Sequence, residues 1–314
     1  MIRILATGGT IAGTADAASG GHRYTAAVLP VEHLLKDMPD HAGPSLDAEQ
    51  VLSLDSKDMT PSDWLILLAA ARRALQDPAV DGLVILHGTD TMEETAYFLH
   101  LTLPPGKPVI LTGAMRPADH PEADGPGNIR DALRLASQPG AARHGVRVCM
   151  NGSDFGARQV FKARSKGLDA FSERLVDDAS APHTAKDSAG RFAALPLTSL
   201  PRVDILPGYA GAPSALIDFC TSQGARGLVL ALTGHGSVPI AWEAALAQAQ
   251  AAGVTILRAS RCDGPVIRNA NADDDRRGWL TAGSLPPVKA RIALMLALAA
   301  GWGLGKMVEE LPGL

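Results

Sequence analysis

Two short segments crowd hydroxyl side chains behind glycines. One is Thr7-Gly8-Gly9-Thr10-Ile11-Ala12-Gly13-Thr14. The other is His87-Gly88-Thr89-Asp90-Thr91-Met92-Glu93-Glu94-Thr95. Each follows an apolar run, Ile2-Arg3-Ile4-Leu5-Ala6 and Gly82-Leu83-Val84-Ile85-Leu86. A buried strand that ends in a glycine turn is where open α/β sheets put ligands. Two such turns side by side would set Thr10 and Thr89 around one small pocket. A core does not need so many hydroxyls at a strand tip, so the pattern points to chemistry. A threonine hydroxyl becomes a nucleophile only with a base in hydrogen-bond reach and a group that orients the base. Asp90 could orient or bind. His87 faces away by strand alternation. A lysine able to give up its proton is the remaining candidate, and spacing leaves open which one.

The first turn is not G-x-G-x-x-G, and no Gly-Lys-Ser/Thr follows it, so neither nucleotide fingerprint fits. In the second segment Thr91 and Glu94 fit a capping box. That leaves Thr89 and Asp90 without a capping role. A helix N-terminus beside them would favour a developing negative charge, as acyl transfer requires.

The elements that must hold these turns follow from the alternation of apolar runs with helical patterns. Strands are predicted at residues 3–6, 82–86, 108–111, 145–150, 203–206, 227–232 and 254–259. Helices are predicted at residues 61–75, 92–101, 128–136, 214–221, 240–251 and 287–300. This order predicts parallel sheets with helices on both faces. Thr60 before Pro61 fits a helix start. Residues 179–201 lack periodicity and read as a hairpin region plus a linker. The domains expected are residues 1–190, catalytic, and residues 208–314, with 191–207 linking them.

The chain has 314 residues, 46% of them apolar and 20% charged, with a net charge of −4. That is ordinary for a globular protein and gives no reason to expect nucleic acid or an anionic membrane as a partner. No run approaches the roughly 18 uninterrupted apolar residues of a membrane span. The chain opens on a strand with no visible signal peptide, and its three cysteines are too few and scattered for a disulfide framework. A reducing cytoplasm is the expected compartment, and Cys149 is expected in the core. His235 reads as a loop histidine without a role, Asp273-Asp274-Asp275 as a solvated loop, and Trp64 and Trp242 as packing residues.

The two segments resemble the two signature segments of bacterial L-asparaginases. The likeness continues through Gly113-Ala114-Met115-Arg116-Pro117, Asp124-Gly125-Pro126 and Lys289-Ala290-Arg291, in order and over nearly the whole chain. It implies an α/β fold with a larger N-terminal flavodoxin-like domain and a smaller C-terminal α/β domain. It implies hydrolysis of the asparagine side-chain amide to aspartate and ammonia, without metal or organic cofactor. Thr10 matches the family's threonine nucleophile and Tyr24 the tyrosine that closes over the substrate. Thr89, Asp90 and Lys162 match a second Thr–Asp–Lys group, and Ser56 the serine that binds the substrate carboxylate. In that scheme Thr10 attacks the amide carbon, and N–H groups of the two turns hold the oxyanion. A neutral Lys162 pulls on Thr89 and helps to activate water. A homotetramer or homodimer is the assembly implied, with a small amino acid as the binding partner.

Three positions depart from the family pattern. Lys57 stands where family members carry glutamine, and Asn271 where they have a glutamate donated by a neighbouring subunit. Both family residues contact the substrate α-amino group, so a weaker grip on free asparagine is expected. The alternative is that Lys57 points away and Asp273 or Asp274 substitutes. Ser237 replaces an asparagine of the selective members, which predicts some glutaminase activity. Two other readings compete: the amidase component of a tRNA-dependent amidotransferase, and a non-catalytic small-molecule-binding α/β module.

Overall fold

A computed structural model of the chain describes residues 1–15, 24–36, 44–174 and 188–314. The chain divides into two compact units. The first holds Met1–Arg174 and Ala189–Ala194, and the second is built on Leu195–Leu314.

The first unit runs β1 (Ile2–Gly8), β2 (Thr14–Ala15), β3 (Tyr24–Thr25), α1 (Val31–Lys36), β4 (Leu46–Leu54), α2 (Pro61–Gln76) and β5 (Gly82–Leu86). It continues through α3 (Met92–Thr102), β6 (Val109–Thr112), α4 (Gly125–Ala136), β7 (Val146–Met150), β8 (Ser153–Gly156), β9 (Val160–Lys162) and β10 (Phe171–Glu173). Its main sheet is ordered β4-β1-β5-β6-β7-β8. The first five strands are parallel, and β8 returns antiparallel on β7. Counted in chain order, the parallel strands lie 2-1-3-4-5, the flavodoxin-like winding. Every residue of β5 is buried, and β1 is buried except at Arg3. Continuous apolar runs of this kind suit strands covered on both faces. On one face Ile4, Val84, Leu86 and Ile110 pack with Ile129, Ala132 and Leu133 of α4. Cys149 belongs to the same core, and burial pushes its thiol up to about 12.

α2 starts as the Thr60–Pro61 pair predicts. The Thr60 hydroxyl accepts from Asp63 N and the Asp63 carboxylate accepts from Thr60 N, a complete capping box. The box expected at Thr91 and Glu94 does not form: Thr91 makes no side-chain cap bond, and its hydroxyl donates to Ser56 O at 2.8 Å. Trp64 and Trp242 are packing residues as expected. Trp64 stacks on Phe98 at 5.3 Å between ring centroids, and the Trp242 indole donates to Ala212 O.

The second unit runs β11 (Val203–Pro207), α5 (Ala215–Ser222), β12 (Gly227–Leu232), α6 (Ile240–Ala251), β13 (Thr255–Ser260), α7 (Ala272–Arg276), β14 (Leu280–Thr281), α8 (Pro287–Ala299) and α9 (Leu304–Glu310). Its four strands are parallel in the order β11-β12-β13-β14. Of the segment read as hairpin plus linker, residues 179–187 lie outside the described residues, and residues 188–201 form turns and no strand.

Candidate active site

In the first sheet the chain leaves β1 toward β4 on one side and resumes at β5 on the other. The crevice beyond the carboxyl ends of β1 and β5 is the switch point where such sheets bind ligands. Both hydroxyl-rich turns stand there. Gly8 and Gly9 leave β1 with φ of +102° and +83°, a left-handed backbone that suits glycine. A Cβ on Gly9 would lie 2.3 Å from Gly88 Cα. The two turns are therefore in direct backbone contact, and no side chain fits between them.

Thr10 follows in a short 3₁₀ turn and is buried. β2 and β3 pair antiparallel, Thr14 against Thr25 and Ala15 against Tyr24. That hairpin returns Tyr24 to the turn, and the Thr10 hydroxyl donates to the Tyr24 phenol oxygen at 2.9 Å.

Thr89 and Asp90 lead into α3. Lys162, at the end of β9, comes from the β9–β10 hairpin. Its ammonium donates to Thr89 Oγ1 at 2.9 Å and to Asp90 Oδ1 at 2.6 Å. The Asp90 carboxylate also lies in the turn before α3, where the helix dipole favours negative charge. Ser56 is buried after β4, and its hydroxyl accepts from Asp90 N at 3.2 Å. A Cβ on Gly88 would meet Ser56 Oγ at 2.5 Å, so Ser56 also abuts the second turn. Five of the residues singled out by sequence, Ser56, Thr89, Asp90, Lys162 and Thr10, thus converge on the two touching turns, with Tyr24 joined through Thr10.

Lys57 points elsewhere. Its ammonium pairs with Asp55 and lies 3.6 Å from Asp58, and its side chain is 60% exposed. The Asp55 hydrogen bond pushes its pKa up. His87 is fully buried. Its Nδ1 lies 2.7 Å from Gly88 O, which makes it the donor, and burial pushes its pKa down to about 4. A neutral, buried imidazole bonded to its own turn fits the expectation that it is not the base.

Ser237 and Asn271 belong to the second unit. Ser237 is exposed in the turn after β12, beside Gly234 and Gly236 with φ of +56° and +70°. Asn271 caps α7, its side-chain oxygen accepting from Asp274 N at 3.3 Å. The acidic run is not a solvated loop. It forms α7, and Arg258, fully buried on β13, pairs with Asp275 and lies 3.5 Å from Asp274. Asp274 also accepts Val238 N at 3.1 Å, while burial pushes its carboxyl up. The Ser237 turn and the Asn271 segment are therefore fastened to one another by Asp274. An arginine inside the apolar run of β13 was the available signal, because a buried guanidinium demands carboxylates. His235 is exposed. Among the described residues no group of three His, Cys, Asp or Glu could hold a metal ion, and no helix is long and apolar enough to cross a membrane.

Comparison with known proteins agrees with this geometry. Residues 1–180 match the family model for the asparaginase N-terminal domain, and residues 202–309 that for the glutaminase/asparaginase C-terminal domain. A probable periplasmic L-asparaginase of Haemophilus influenzae is 38% identical, covering 95% of this chain and 88% of that one. A glutaminase-asparaginase of Pseudomonas fluorescens is 35% identical over 94% of this chain and 85% of its own length. The crystal structure of a probable cytoplasmic L-asparaginase from Campylobacter jejuni matches with a TM-score of 0.87 at 34% identity, covering 100% of this chain and 99% of that one. With two touching glycine turns at the switch point, and both domain models matched in order, the chain belongs to the asparaginase family.

Proposed function

We propose that this protein hydrolyses the side-chain amide of L-asparagine to L-aspartate and ammonia, with some activity on L-glutamine, through Thr10 as nucleophile. The observation that carries the reading is the contact of Gly9 with Gly88, which joins the Thr10–Tyr24 pair to the Thr89–Asp90–Lys162 group at one strand-end crevice. Thr10 attacks the amide carbon, its hydroxyl proton passing to the Tyr24 oxygen as the Tyr24 phenol proton passes to the amide nitrogen. Backbone N–H groups of the turns stabilise the oxyanion, the term that dominates acyl transfer. Ammonia departs with a proton. Water then attacks the acyl carbon, its proton passing through Thr89 to Lys162 in its neutral form, and aspartate leaves as the Thr10 oxygen takes up a proton. Ser56 binds the substrate carboxylate and Asp90 the α-ammonium. Ser237 and Asn271 are the residues proposed to tune selectivity.

The assembly proposed is a homodimer or homotetramer. The compartment proposed is the cytoplasm, which the three free cysteines support. Ammonia release by the purified protein from asparagine, glutamine and D-asparagine, measured with the native mass, tests the substrate reading. Turnover of L-asparagine with lesser turnover of L-glutamine is expected. No ammonia from either would overturn it.

A further inference from the structure

We infer that Asp119 is a positioning residue for the hairpin that carries Tyr24, and that it acts on the Thr10–Tyr24 pair through the backbone of Ala15. The inference rests on the reading of Thr10 given above. Ala15 stands directly opposite Tyr24 in the β2–β3 ladder, and that ladder has two residues on each strand. A ladder so short is marginal on its own, so its geometry depends on what grips it from outside.

The two arms are gripped differently. Beyond β3, Ala27 N donates to Gly9 O, and Val28 N and Leu29 N to Ala12 O, which ties that arm to the Thr10 turn. On β2 the grip comes from the segment after β6. Ala118 N donates to Gly13 O at 2.9 Å. The Asp119 carboxylate accepts Ala15 N–H through both oxygens, at 2.8 and 3.0 Å. These bonds hold the backbone groups on either side of Thr14. A Cβ on Gly13 would lie 3.1 Å from the Tyr24 ring and 2.9 Å from Thr25 O, so the gripped strand lies against the tyrosine itself.

The gripping segment is in turn fixed. Asp124 accepts Met115 N and Arg116 N, each at 2.9 Å, and Asn128 Nδ2 donates to Gly113 O and to Asp124. Asp119 itself is exposed. It has no core to fill, and a charged acceptor on a backbone N–H makes a stronger bond than a neutral one. Its use is to hold β2 at the distance that keeps the Tyr24 hydroxyl on Thr10.

The test compares Asp119→Ala, Asp119→Asn, Tyr24→Phe and the double variant Asp119→Ala/Tyr24→Phe. Asp119→Ala is expected to lower kcat for asparagine by about tenfold or more, the effect of one lost charge-assisted bond. The melting midpoint should stay near that of the parent. Asp119→Asn keeps an oxygen for Ala15 N–H and should recover most of the rate. In the Tyr24→Phe background Asp119→Ala should add little, because both act on one pair. Hydrogen exchange of the Ala15 amide gives a readout independent of turnover: faster in Asp119→Ala, close to the parent in Asp119→Asn. Parent-like kcat and parent-like exchange in Asp119→Ala would overturn the inference, as would losses that multiply with Tyr24→Phe. Faster exchange in a protein that releases no ammonia would uphold the anchor and sink the hydrolytic reading instead.

Discussion

The ammonium of Lys162 and the hydroxyl of Thr89 are 2.9 Å apart although they stand 73 positions apart in the chain. Asp90 holds the same ammonium from the next position. The hydroxyl, the cation and the carboxylate form one unit, so their loss should not be additive. Lys162→Met keeps the length of the side chain and removes its charge and donors. It is expected to lower kcat for asparagine by roughly 10²–10⁴-fold, the range for a lost acid–base group. Thr89→Val should do the same, and the double variant little worse. Steady-state ammonia release measures this; full multiplication of the two losses would separate Lys162 from Thr89.

Lys57 engages Asp55 and Asp58 rather than the Thr89 group. Exposed pairs of this kind contribute little to stability. Lys57→Gln should therefore leave both KM for asparagine and the melting midpoint unaltered. A large fall in KM would place the ammonium against the substrate's own.

Gly9 tolerates no side chain. Gly9→Ala forces a Cβ onto Gly88 Cα and puts alanine at a φ of +83°. The left-handed conformation alone costs on the order of 1–3 kcal/mol. A lower urea midpoint and loss of ammonia release are expected together. A variant with parent-like activity would mean that the turns need not touch.

His87 makes stability depend on pH. Its folded pKa of about 4 lies below the ordinary 6.5 because burial disfavours the imidazolium. Between those values the unfolded chain binds the extra proton and the folded chain does not. The contribution is thus complete above pH 6.5 and is lost as pH falls toward 4, by about 3 kcal/mol in full. His87→Asn should flatten the pH 7.5 to 5 change in urea midpoint relative to the parent. An equal slope in both would assign the change to other groups.

Ser237 offers less bulk than asparagine. Ser237→Asn should lower the ratio of glutamine to asparagine turnover several-fold, as pocket volume discriminates modestly. An unchanged ratio would remove Ser237 from selectivity.

The sequence was most readable where local pattern and burial agree. β5, β12 and α6 begin and end where their apolar runs predict, because a charged residue or proline stands before each run and a glycine within two residues after it. β4 escaped, since this edge strand, Leu46–Leu54, exposes Asp47, Gln50 and Ser53 and holds no fully buried residue, so it carries no buried run. The Thr91 cap failed because a partner distant in the chain, Ser56 O, took the hydroxyl. Asp273–Asp275 misled for a similar reason: nothing local tells that Arg258 lies beneath them. The Thr10 and Thr89 segments were legible because glycine and hydroxyl density at a strand end is a local signal. Lys162 and Tyr24 came from the family resemblance, for hairpin contacts across the chain leave no spacing to read.

The account depends on two hydroxyls working on one carbonyl. The most direct measurement is ammonia release from asparagine by the parent, Thr10→Ala and Thr89→Val, with melting midpoints as the control for folding. The account predicts an active parent and two folded variants each slowed by orders of magnitude. Parent-like rates in either folded variant would contradict it.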